Sequence, residues 1–199
     1  MSNYTYRLPI DEIDAGYGDA FAQGLFSLWR RTEGNLTDEY ENYYSKIVLF
    51  DGNPVVGDSP ELLDCGFEAL PLKLLGSTWS EDTEHLRSFL PADYRAMVGR
   101  SYFEASVYSS PTFDIVRADL KNDEGAPVAK PYKRLILPVR EGGFRCLLSY
   151  SFGIETLLPV KDRSKDSENL AVYTQRKPGG GSLYQAVVGS SERHSFRVG

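Results

Sequence analysis

Three runs near the middle of the chain decide the fold: TFDIVRADL (Thr112–Leu120), KPYKRLILPVR (Lys130–Arg140) and FRCLLSYSF (Phe144–Phe152). Upstream of them the apolar residues recur at helical spacing; from Thr112 the period changes to alternation, the mark of strands. Asn122 to Gly125 separates the first two runs and Glu141-Gly142-Gly143 the last two, and glycine makes both loops easy to turn. The order is therefore two consecutive hairpins, an antiparallel meander. Leu135, Leu137 and Val139 face one way and Arg134 the other, while Cys146, Leu148 and Tyr150 oppose Arg145, Ser149 and Ser151. This alternation predicts one apolar face and one largely wet face. Pro131 and Pro138 lack a backbone donor, which places them at a strand start, an edge or a bulge.

Working back toward the N-terminus, Pro91 sits where a helix would begin. Tyr94, Met97, Val98, Ser101, Tyr102 and Ala105 then form one face of a helix that runs to about Ser109. Ala69–Leu75 reads as about one helical turn closed by Gly76, with a short strand before it near Glu61–Gly66. Ser45–Phe50 is a second short strand, stopped by Asp51-Gly52-Asn53-Pro54. Residues 18–32 read as a helix through Phe21, Leu25, Leu28 and Trp29, with Asp19 as cap, Arg30 and Arg31 in the last turn, and Gly34 to end it. Its apolar face has two destinations open: the chain's own core, or a second subunit as well. Tyr40, Tyr43 and Tyr44 are expected to cover the joint between this helix and the sheet.

Toward the C-terminus, beyond about Leu158, Lys, Asp, Ser, Asn and Gly dominate, with Pro178-Gly-Gly-Gly181 in the middle. This predicts a flexible polar tail. The expected organisation is an N-terminal extension over residues 1–17, a domain over 18–157 and a tail over 158–199. The chain has 199 residues, long enough for one core without disulfide or metal staples. Cys65 and Cys146 are accordingly read as reduced core thiols. No run approaches the ~20 apolar residues of a membrane span, and the first residues carry Asp11, Glu12 and Asp14 in place of a basic start and apolar run. The expected location is the cytoplasm. A net charge of -6 argues against DNA or RNA as the main partner.

Residues for chemistry are few. Only His85 and His194 are available; His85 lies among acids in Glu81-Asp-Thr-Glu-His85, and His194 lies in the tail. A histidine dyad or multi-histidine metal site is thus poorly supplied. Gly179–Gly181 has no following Lys-Ser or Lys-Thr and is no phosphate loop. The pairs Asp82 with Glu84 and Asp123 with Glu124 read as solvated loop charges.

Helix, two strands, short helices, a longer helix and three antiparallel strands is the order of elements in a PAS domain. The string Pro111-Thr-Phe-Asp-Ile-Val-Arg-Ala-Asp-Leu-Lys-Asn-Asp-Glu-Gly, then Pro131-Tyr-Lys-Arg-Leu-Ile-Leu-Pro-Val-Arg and Phe144-Arg-Cys-Leu-Leu, resembles the last three strands of the single-PAS proteins common in alphaproteobacteria. Leu28-Trp-Arg-Arg resembles that family's N-terminal helix, and Ser59-Pro-Glu-Leu-Leu-Asp-Cys-Gly with Leu75-Gly-Ser-Thr-Trp79 its second strand and following segment. The resemblance implies an α+β, PAS-like fold: a five-stranded antiparallel sheet with helices on one face and an N-terminal helix. It also implies a sensory or regulatory module that binds a small ligand, contacts other proteins, or both, without a catalytic output of its own. Trp79, Met97, Tyr102, Leu137 and Leu148 are the expected pocket lining, on the ground that large side chains converge on the apolar sheet face. A homodimer through Phe21, Leu25, Leu28 and Trp29 and an unidentified signalling partner are expected. Pro91–Ser109 holds no histidine to ligate haem, and neither Cys65 nor Cys146 lies in the Asn-Cys-Arg-Phe-Leu-Gln context of flavin light sensors, so neither cofactor is supported. Two other readings stand beside this one: a pure protein adaptor acting through the helix and tail, and a small α+β barrel enzyme, which would need acids or a histidine in its cavity.

Overall fold

A computed structural model describes residues 3–57, 59–76, 90–122, 124–128 and 131–154. The predicted tail, Trp79, His85 and His194 lie outside them.

The described chain forms β1 (Tyr4–Leu8), α1 (Ala20–Thr32), β2 (Ile47–Asp51), β3 (Leu62–Cys65), α2 (Leu70–Leu75), α3 (Ala92–Tyr108), β4 (Thr112–Arg117), β5 (Leu120–Lys121), β6 (Pro127–Val128), β7 (Tyr132–Glu141) and β8 (Phe144–Gly153). Short 3-10 stretches, Ile10–Ile13 and Asp38–Lys46, flank α1. Six strands make one antiparallel sheet in the order β1-β4-β7-β8-β2-β3, and β5 with β6 forms a separate two-stranded ribbon. Without β1, the remaining strands in chain order lie side by side as 2-1-5-4-3, with α2 and α3 between the second and third. This is the PAS-like arrangement, reached from hydrogen-bonded register alone.

The elements start and stop for local reasons. Asp19 caps α1 by accepting from the Ala22 N–H at 2.7 Å. The helix closes with Glu33 (φ 51°) and Gly34 (φ 74°) both left-handed, and the Gly34 N–H reaches back to the Trp29 carbonyl. Gly142 (φ 60°) turns the β7–β8 hairpin, whose register runs from Glu141 opposite Phe144 to Tyr132 opposite Gly153. Pro138 sits opposite Leu147, past the point where β4 stops pairing with β7 at Ile136, so its missing donor falls on an open edge. Gly66 is required by close approach: a Cβ there would meet the Tyr44 and Ser45 backbone.

Two features depart from the sequence reading. The sheet has a sixth strand, because Tyr4–Leu8 pairs along β4 from Tyr4 opposite Arg117 to Leu8 opposite Phe113. Its five residues alternate too briefly to stand out from the extension around them. Helices also cover both faces, so neither face is wet. On one side α1 and the 3-10 stretches bury Leu25, Leu28 and Tyr40 against Phe113, Ile115, Leu135, Leu137 and Leu148; on the other α2 and α3 bury Leu75, Tyr94, Val98 and Tyr102 against Phe50, Val116, Tyr132, Ile136 and Leu147. The α1 face expected to form a homodimer packs within the chain: Leu25 and Leu28 are buried in that core, and the partly buried Phe21 and Trp29 pack against it.

Candidate functional site

Of the two faces, the one beneath α3 holds the unusual chemistry. Register places Arg134 on β7 opposite Asp114 on β4 and Ser151 on β8, and Asp114 in turn opposite Arg7 on β1. A polar row thus crosses four strands where a core would ordinarily be apolar. Arg134 Nε donates to Asp114 Oδ1 at 3.2 Å and Nη2 to Oδ2 at 2.9 Å, with both side chains 1% exposed. Such a fork matches the planar guanidinium to both carboxylate oxygens.

Helix α3 is fixed to this row along its length. Near its start the Tyr94 hydroxyl lies 3.4 Å from the Tyr132 hydroxyl. At mid-helix, the Tyr102 ring stacks over the Arg134 guanidinium at 4.6 Å, and its hydroxyl donates to Ser149 Oγ at 3.0 Å. Arg7 Nη2 reaches across to Ser101 Oγ at 3.0 Å and Glu104 Oε2 at 2.8 Å, and Arg100 completes that cluster by donating to Glu104 Oε1 at 2.7 Å. At the far end Ser106 Oγ donates to the Gly52 carbonyl.

Burial sets the protonation states. Removal from water pushes the Tyr132 phenol up to about 12, opposed by the nearby Arg134 charge, and burial likewise raises Tyr94 and Tyr102. For Arg134, burial works against the charge, but the Asp114 carboxylate together with Tyr102 and Tyr132 outweighs it and holds the guanidinium even more firmly protonated than usual. At neutral pH the site is therefore an ion pair ringed by neutral phenols. A general acid or base works best with a pKa near the operating pH. This arrangement positions α3 on the sheet, and its tyrosines hold their protons at neutral pH.

The expected pocket lining does not converge here. Met97 and Tyr102 sit on the α3 side. Leu137 and Leu148 are directly opposite one another on β7 and β8 but face α1. Pairing them with α3 assumed that the long helix covers the more apolar face, and it covers the more polar one. The residues that do meet under α3, Arg134, Asp114, Tyr94, Tyr132 and Ser149, were absent from that lining. Their one signal in the sequence is that the charges sit at matching alternation positions on two adjacent strands. Both cysteines are unbonded. Burial and then Asp64 push the Cys65 thiol up to about 12, while burial and then Asp51 and Glu141 push Cys146 up to about 11, so neither is a thiolate at neutral pH. Among the described residues no group of three or more His, Cys, Asp or Glu could hold a metal ion, and no helix is long and apolar enough to cross a membrane.

Neither a family model nor a curated protein matches the sequence. Among solved structures, one titled "Structure of an RNA-binding Light-Oxygen-Voltage Receptor" matches at 14% identity and a TM-score of 0.37, over 87% of this chain and 44% of that one. The chain thus spans less than half of that receptor. At this level of likeness the strand order, and not the neighbour, carries the fold assignment.

Proposed function

We propose that this chain is a PAS-like sensory or regulatory module, without a reaction of its own, in which the seating of α3 on the sheet is the signal and another protein reads it. The observation that carries this reading is the set of side-chain bonds that fix α3 from Tyr94 to Ser106. A helix packed on a core has a few discrete seats rather than a continuum, and directional bonds sharpen each of them. Anything that binds those seats unequally shifts the population between them.

Hydrogen exchange on the intact chain tests this. The α3 amides are expected to exchange as a unit, ahead of β7 and β8, which marks a helix that unseats on its own. Exchange of α3 only together with β7 and β8, at the global unfolding rate, would sink the proposal. A small-ligand variant of the reading is favoured by Thr112, whose hydroxyl is buried on the α3 side of β4 without a hydrogen-bond partner among the described residues. Native mass spectrometry of freshly purified protein beside a denatured control separates the two versions. An extra mass lost on denaturation supports ligand sensing, whereas an empty chain supports the adaptor, in which a partner alone biases α3.

A further inference from the structure

Strand β1 differs from the other anchors of α3. Tyr132, Ser149 and Gly52, which hold the helix at Tyr94, Tyr102 and Ser106, belong to β7, β8 and the turn after β2. Each of these strands has a neighbour on both sides, so its anchor moves only if the sheet opens. The fourth anchor, Arg7, comes from an end strand, which among the described strands pairs with β4 alone. Alternation divides β1 between the two faces. Tyr4 and Leu8 are buried in the α1-side core, while Arg7 turns the other way and its Nη2 reaches Ser101 Oγ at 3.0 Å and Glu104 Oε2 at 2.8 Å on α3. Ser101 is itself buried, and Glu104 also accepts from Arg100 within the helix, so Arg7 grips a cluster that α3 has already ordered.

The chain around β1 lets this strand leave by itself. Pro9 follows it directly and separates it from the Ile10–Ile13 turn, whose Ile13 is fully buried under α1. Proline has no backbone donor, so a hydrogen-bonded ladder does not run on through it. Unpairing Tyr4–Leu8 therefore gives up the burial of Tyr4 and Leu8 and leaves Ile13 in place. A five-residue strand held along one edge is a unit of the size that opens locally, below the free energy of global unfolding. We propose that β1 is a detachable strap: paired with β4 it presents Arg7 and holds α3 in its seat, and unpaired it frees the helix. This rests on the reading of α3 seating as the signal, and it gives that signal an input. Whatever draws β1 off β4 loosens α3, and a loosened α3 favours release of β1 by the same factor.

Residue-resolved hydrogen exchange on the full chain and three variants tests the strap. Arg7→Gln should speed the α3 amides about fivefold, the effect of losing one partly exposed ion pair, and the β1 amides by the same factor. The Arg7 side chain is 42% exposed, so this variant should keep the parent's circular dichroism. Leu8→Ala loosens β1 from the α1 side, away from the helix it is meant to control, and should speed α3 to a similar extent. Combined with Arg7→Gln it should speed α3 no further, because the link it acts through is already cut. Leu25→Ala takes the same side chain out of the same core from α1 instead of β1, and α3 should then exchange as in the parent. Unchanged α3 rates in Arg7→Gln, or an α3 that responds equally to Leu8→Ala and Leu25→Ala, overturn the strap; if α3 still exchanges ahead of β7 and β8, its role as the moving element survives. Exchange of α3 only together with β7 and β8 in every variant takes down both.

Discussion

The two faces of the sheet solve the same problem by different physics. Under α1 the contacts are almost wholly apolar: Leu25, Phe26 and Leu28 meet Phe113, Ile115, Leu135, Leu137 and Leu148. Among the described residues the one buried cation there, Lys133, is held by the Tyr17 carbonyl and ring. Under α3 the core is threaded by the Arg134–Asp114 pair and three tyrosines. Apolar burial contributes about 1.5–3 kcal/mol per large side chain and carries no direction of its own. A buried ion pair roughly breaks even once its desolvation is counted, but it is intolerant of error. The α1 face supplies stability; the α3 face supplies a defined seat.

The sharpest way to break that contrast is to remove one partner of the pair. Asp114→Ala leaves the Arg134 guanidinium buried without its counter-ion and should lower unfolding free energy by about 3–5 kcal/mol in urea titrations. Replacing both, Asp114→Leu with Arg134→Met, should restore most of that loss, because the desolvation cost leaves together with the attraction. That double variant should still fold yet lose the discrete seating of α3, seen as faster exchange of its amides. A double variant as damaged as the single one would mean that the pair itself supplies stability. On the other face Leu25→Ala should cost about 3 kcal/mol, a cavity loss with no rescue by charge changes.

How much of this contrast can be read without the structure follows from particular residues. The β4–β7–β8 meander was legible because Thr112 onward alternates and the glycine loops punctuate it; the long helix was legible from Tyr94, Met97, Val98, Ser101, Tyr102 and Ala105, all of which are buried. The covering of both faces was also written in the chain. Leu135-Ile136-Leu137 and Cys146-Leu147-Leu148 are unbroken apolar runs, the mark of strands buried on both sides. That signal was overridden by Arg134, Ser149 and Ser151, which read as solvent-facing because polarity does not reveal whether a neighbouring strand supplies the partner. Asp114 does, and a pairing across strands twenty residues apart in sequence is a property of register. For the same reason the expected pocket mixed Met97 and Tyr102 from one face with Leu137 and Leu148 from the other.

Alkaline pH probes the α3 face next. The Tyr132 phenol ionises near 10.0 in the unfolded chain and is pushed up to about 12 in the folded one. Its contribution is fully present below pH 10 and is lost as pH rises through 12, because the unfolded chain alone releases the proton in that window. Stability should therefore fall between these values, and Tyr132→Phe should flatten the slope of the denaturation midpoint against pH. Tyr150 on the α1 face is also raised, by burial and then by Asp19, so some slope should remain in the variant. A slope unchanged by Tyr132→Phe would assign the alkaline sensitivity to the other raised phenols, Tyr94 and Tyr102 under α3 and Tyr150 under α1.

The smallest effect is the most specific to the seating of α3. Tyr102→Phe keeps the ring over Arg134 and its edge contact with Phe50 at 4.9 Å, and removes the hydroxyl that donates to Ser149 and also bonds Arg134. The loss should be about 1–2 kcal/mol. Ser149→Ala should cost about 1 kcal/mol, and the two together little more than Tyr102→Phe alone, because both delete the Ser149 bond. Additive losses in that cycle would mean that the hydroxyl contact does not couple helix to sheet, and that the aromatic packing, which Leu and Phe supply equally well on the α1 side, is enough to hold α3 where it is.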